Sequence, residues 1–125
     1  MAQVPNPKTP DASIGLTRPF RDTASDGFDK TYILTPRGRV IEPTLTARSG
    51  SGTHGANTWF LAPGRYVVIS VHRPNLKNGW RPYSVTIQCI DFANSGEGHV
   101  IAEASLYTNE VHQDDLVEWA RGACP

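Results

Sequence analysis

Eight consecutive residues constrain this chain more than any other stretch. From Tyr83 to Ile90 the sequence alternates, with Tyr83, Val85, Ile87 and Cys89 on one side and Ser84, Thr86 and Gln88 on the other. A period of two suits a β-strand with one buried and one wet face and does not suit a helix. Its neighbours read the same way. Val67, Ile69 and Val71 alternate with Tyr66, Val68, Ser70 and His72. Both faces of that run begin apolar, which predicts a strand through the centre of a sheet.

From Phe28 onward the chain is a series of short segments rich in β-branched and aromatic residues, separated by Gly, Pro and Asn turns. Thr31 to Thr35 and Arg39 to Arg48 flank Pro36-Arg37-Gly38, a hairpin signal. Thr58 to Ala62 and Arg65 to Arg73 follow across Pro63-Gly64, and His99 to Tyr107 is the last strand. Thr108 or Asn109 then caps a helix over about 109–121, with Glu110, Asp114 and Asp115 near its positive end and Gly122 stopping it. Leu116, Trp119 and Ala120 form its apolar stripe.

Six or seven short strands with regular turns predict a mainly β fold, a two-sheet antiparallel sandwich or jelly roll with one short C-terminal helix. At 125 residues one core is expected. Pro5, Pro7, Pro10 and Pro19 make residues 1–27 an extended N-terminal arm ahead of a domain over 28–125.

The run Leu61-Ala62-Pro63-Gly64-Arg65-Tyr66 resembles the tyrosine corner of immunoglobulin-like sandwiches, in which the Tyr hydroxyl reaches back to a nearby backbone group. With Trp80 to Ile90 it is also similar to the closing strands of pre-peptidase C-terminal and carbohydrate-binding jelly rolls. That resemblance implies fold, and many functions share these folds. Such families often carry calcium-binding acids, but the spacing of Asp22, Asp26 and Asp29 lacks the alternating ligands of an EF-hand loop.

Twelve basic residues balance twelve acidic ones, so no global field favours nucleic acid. Met1 to Phe20 holds no apolar run, so neither a secretory signal nor a membrane-inserting segment is expected, and synthesis in the cytoplasm is. Cys89 and Cys124 are too few for a disulfide scaffold. Free thiols are the expectation, with oxidation in a released particle as the alternative. Cys89, on the apolar side of its strand, reads as core and not as a nucleophile.

Gly50-Ser51-Gly52-Thr53-His54-Gly55 fits a dinucleotide fingerprint in letters only. A strand follows it where a helix N-terminus is needed. The four histidines are dispersed, and Glu110, His112, Asp114 and Asp115 serve the helix dipole better than a metal ion. No catalytic set, metal site or cofactor is expected. The most suggestive surface is the loop from His72 to Pro82. There His72, Arg73, Asn75, Lys77, Asn78, Trp80 and Arg81, with Trp59, are the candidate binding residues, a mixture enriched at binding hot spots and suited to stacking on sugars. The function expected first is a non-catalytic structural or interaction module of a larger assembly, such as a phage head-decoration or tail component, meeting protein neighbours and copies of itself. A carbohydrate or cell-surface binding module comes second, and a small enzyme or inhibitor third.

Overall fold

The computed structural model describes residues 13–23, 27–77, 79–93 and 97–125. Eight strands and one helix follow in order: β1 (Ile14–Thr23), β2 (Gly27–Leu34), β3 (Val40–Ile41), β4 (Leu45–Arg48), β5 (His54–Leu61), β6 (Gly64–Arg73), β7 (Tyr83–Phe92), β8 (His99–Thr108) and α1 (Gln113–Arg121). All pairings are antiparallel, and the hydrogen-bonded order is β4-β5-β1-β2-β6-β7-β8, with β3 beside β2. The mainly β class with a C-terminal helix is therefore the observed one. β6 lies inside the sheet, as its two apolar faces require.

The joins within this sheet are uneven. β1 pairs with β5 over eight residue pairs and β2 with β6 over seven, whereas β1 meets β2 through only three, Arg21–Asp29, Asp22–Phe28 and Thr23–Gly27. Beyond that hairpin end the ladder between β1 and β2 stops. Two apolar clusters follow from this arrangement. One gathers Ile14, Leu16, Ile33, Trp59, Leu61, Val68, Ile90 and Phe92. The other gathers Leu34, Val67, Ile69, Val71, Val85 and Ile87 beneath Leu116 and Ala120 of α1.

The tyrosine corner is present in geometry as well as in letters. The Tyr66 hydroxyl donates to the Ala62 carbonyl at 2.6 Å, and the Tyr66 ring lies 6.2 Å from that of Phe92. The Pro36-Arg37-Gly38 turn joins β2 to β3 and also receives the helix. Gly38 is buried with φ of +94°, and a Cβ there would come 3.0 Å from Val117 Cγ1. A side chain at this position would strain the backbone and push α1 off the sheet. Arg121 donates from Nε to the Arg37 carbonyl at 3.3 Å, tying the last helical turn to the same corner.

Three expectations are corrected. Ile14–Thr23, drawn above as part of an arm through residue 27, is a strand in the sheet interior. Pro19 is tolerated there, and Ile14, Leu16 and Phe20 bury positions that Pro19 and the prolines before Ile14 obscured. Residues 1–12 and 24–26 of that arm lie outside the described residues. The helix begins at Gln113, because β8 runs on to Thr108 opposite Tyr83. Its start is held by the His112 N–H donating to Asp115 at 2.9 Å. Finally, Cys89 and Cys124 are joined in a disulfide across 35 positions. Cys89 faces the side of β7 covered by α1, and after Gly122 the chain returns Ala123 and Cys124 to that same cluster. Helix docking creates this proximity, so linear spacing carries no trace of it.

Candidate functional site

The register of the sheet lines up a row of polar side chains that no local motif announces. Arg21 stands opposite His54 on β5 and opposite Asp29 on β2, Asp29 opposite His72 on β6, His72 opposite Ser84 on β7, and Ser84 opposite Tyr107 on β8. Directly paired residues share one face, so the row crosses six strands on a single face of the sheet. A parallel row of hydroxyls, Thr31, Ser70, Thr86 and Ser105, runs beside it.

Asp29 is the centre of the first row. It accepts from Arg21 Nε at 2.8 Å and pairs with Arg21 Nη2 at 2.7 Å, while its other oxygen meets His72 Nδ1. Partial burial pushes the Asp29 carboxyl up, but the hydrogen bonds and charges of His72 and Arg21 outweigh it and hold the group below its ordinary 3.8. His72 is thereby fixed in orientation with its ring half-exposed. A depressed carboxylate stabilises the fold above its unfolded value, and that contribution is lost as pH falls through the folded one. Carboxyl-detected NMR should place the Asp29 midpoint below 3.8, and His72→Ala should move it upward.

The residues expected to bind do not converge. Trp59 is 2% exposed and donates from Nε1 to the Ile41 carbonyl at 2.9 Å, so it is core and no platform. The alternation of β5 turns Asn57, Trp59 and Leu61 inward together. His72 belongs to the polar row. Arg73 turns away from it, its guanidinium 4.5 Å from the Tyr83 ring, which itself meets Phe28 edge-on at 5.6 Å. Asn75 accepts from the Lys77 amide at 3.4 Å, closing a local turn. Lys77 and Arg81 are exposed, Trp80 is 57% exposed, and Asn78 lies outside the described residues.

Other weighed positions are engaged locally. The Gly50–Gly55 stretch is a turn feeding β5, and His54 Nδ1 lies 3.0 Å from the Thr53 hydroxyl. Of the candidate calcium acids, Asp29 is taken up by Arg21 and His72, and Asp26 is outside the described residues. His112 pairs with Glu110 at 2.9 Å beside the helix start. A cleft of about 320 Å³ opens where β1 and β2 part, with Trp59 and Ile41 in its lining and Arg48, Lys30 and Glu42 among its charged members. Arg48 sits over the Phe20 ring at 5.3 Å and Lys30 over Tyr32 at 5.0 Å, so two of those cations are already occupied. No helix among the described residues is long and apolar enough to cross a membrane.

Sequence reasoning missed Arg21 and Asp29 because the strand that pairs them was read as arm. The alternation of Ile14 and Leu16 ahead of Phe20 is the signal that would have found them.

The class defined by these observations is an antiparallel, mainly β domain with a helix docked on one face. Among solved structures it is similar to ORF157 of Acidianus filamentous virus 1. One crystal structure of that protein superimposes with a TM-score of 0.57 at 11% identity, covering 84% of this chain and 74% of the other. Two further structures of ORF157 give TM-scores of 0.56 and 0.54 at 10% and 12% identity, covering 89% and 90% of this chain and 76% and 78% of theirs. At such identity the likeness is one of fold. No protein-family model matches the chain, and no curated protein sequence does.

Proposed function

We propose that this chain is a non-catalytic interaction module of a larger assembly, of the kind a virus particle carries as an accessory head or tail component. One observation carries the reading. The sheet ends on β8, a ten-residue strand with no further strand beyond it among the described residues, and Val100 and Tyr107 on it are 46% and 78% exposed. A long, open edge bearing bare apolar side chains is a template for another chain, and proteins that work alone usually blunt such edges. The viral origin of the structures that share the fold supports the same reading.

The fixed row through Asp29 and His72 suits recognition too, since it offers hydrogen-bond donors and acceptors in a set order on a rigid face.

Light scattering on the full chain and on a form lacking residues 1–12 is the direct test, the cut being placed so that β1 is spared. Association of either form with rising concentration is the expected result. Two compact monomers, combined with retention on a glycan array that Trp80→Ala abolishes, would replace this reading with that of a carbohydrate-binding module.

A further inference from the structure

β8 is not uniform along its length. Its ladder with β7 shifts register between Cys89 and Ile90, so Ala102 pairs with Cys89, Val100 with Ile90, and Ile101 has no opposite residue. A bulge of this kind twists an edge and ends flat pairing. From Ala102 to Thr108, by contrast, the ladder is regular. Glu103, Ser105 and Tyr107 share the face of Gln88, Thr86 and Ser84, while Ala102, Ala104, Leu106 and Thr108 share the other.

We propose that the occupant of this edge is β8 of a second copy of the chain, running antiparallel, with the two-fold axis normal to the sheet at Ser105. The proposal rests on the assembly reading above and specifies its first contact.

An axis normal to the sheet keeps the faces of both copies aligned. It therefore relates only residues whose numbers have an even sum, which leaves few registers. An axis at Glu103 opposes two carboxylates directly and is unfavourable. An axis at Ala104 runs each Tyr107 past the bulged Ile101 of its partner. An axis at Ser105 uses the whole regular segment and nothing else. Ala102 then faces Thr108, Glu103 faces Tyr107, Ala104 faces Leu106 and Ser105 faces its own copy. The two Glu103 carboxylates end four residues apart along the strand, about 13 Å, beyond the screening length at physiological salt. Each is also drawn back onto its own sheet by Gln88, whose Nε2 donates to Glu103 at 2.6 Å. The hydroxyl row Thr31, Ser70, Thr86 and Ser105 becomes continuous with that of the partner. Tyr107, the most exposed of the large apolar side chains named above, gains a neighbour.

A strand pair buries less than the roughly 800 Å² per partner of a standard interface, so a dimer of micromolar strength is expected. Sedimentation velocity of the full chain over roughly 1 to 500 µM should follow a monomer–dimer equilibrium. Ser105→Lys places two ammonium groups on the axis and should weaken dimerisation at least about tenfold, with an unchanged far-UV spectrum. Ser105→Cys adds one thiol beside the natural disulfide. Opposed strand positions lie within bridging reach, so mild oxidation should give a covalent dimer in higher yield than Ala104→Cys does. A chain that stays monomeric throughout overturns both this pairing and the assembly reading. A dimer that persists in Ser105→Lys and is not locked by Ser105→Cys overturns the β8 pairing alone. Where Ser105→Lys does not fold, the cysteine pair decides.

Discussion

Replacing Cys124 with serine is expected to lower the free energy of unfolding by about 4 kcal/mol, the chain-entropy value for opening a loop of this length. The bridge spans 35 positions from the middle of β7 to the segment after α1. Closing that loop in the unfolded chain removes conformations the reduced chain would otherwise keep. For a domain of this size the loss corresponds to a fall in melting temperature of roughly 12–20 °C. Cys124 is the position to change, since Cys89 is fully buried and a hydroxyl there would add a desolvation cost of its own. Calorimetry with and without reductant checks the magnitude. Hydrogen exchange checks the location, because α1 is held mainly by Leu116, Ala120 and this bridge. Its amides should exchange faster while those of β6 and β7 keep their order. A reduced protein within about 1 kcal/mol of the oxidised one would mean that helix packing alone closes the loop.

Trp59→Ala is expected to cost about 3–5 kcal/mol. The indole is 2% exposed within the cluster of Leu16, Ile33 and Leu61, and its N–H satisfies the Ile41 carbonyl. Removing it leaves a cavity and an unpaired carbonyl at the same point, two penalties that act together. Trp80→Ala, on an exposed ring, should stay within about 0.5 kcal/mol. Urea unfolding of the two variants side by side is the measurement. Similar losses in both would place Trp80 in the core.

Those two tryptophans show where the sequence could be read and where it could not. Alternation is a local property, and it found β6 and β7 nearly to the residue because their buried positions recur with a period of two. The tyrosine corner is local as well, spanning Ala62 to Tyr66, and its hydrogen bond is present. Whether Trp59 points inward depends on the parity of β5, and that parity is set by its partner β1, forty-three residues earlier at the Leu16–Trp59 pair. β1 was hidden by Pro19 within it and by the prolines that precede it. With β1 unread, the Arg21–Asp29 pair was invisible, and with it the row that His72 completes from a third strand. The disulfide failed to show for the same reason at longer range, since it needs α1 to be docked before the two sulfurs meet.

The narrow join between β1 and β2 has a kinetic consequence. Strands β6, β7 and β8 follow one another through short connections and pair in chain order, so their ladders close small loops. β1 closes only three pairs in this local way, with β2. Its few pairs with β2 do not carry it along the sheet, and its long partner β5 arrives only after β2, β3 and β4 have been laid down. Loop-closure entropy must be met before that distant pairing, or the equally distant ladder of β2 with β6, returns anything, which puts both after the β6–β7–β8 meander. Until β1 docks, Trp59 and Leu61 lack Leu16 and Ile14 opposite them, and β5 is paired on its β4 side alone. That is the interval in which this chain is most exposed to capture by another copy of itself.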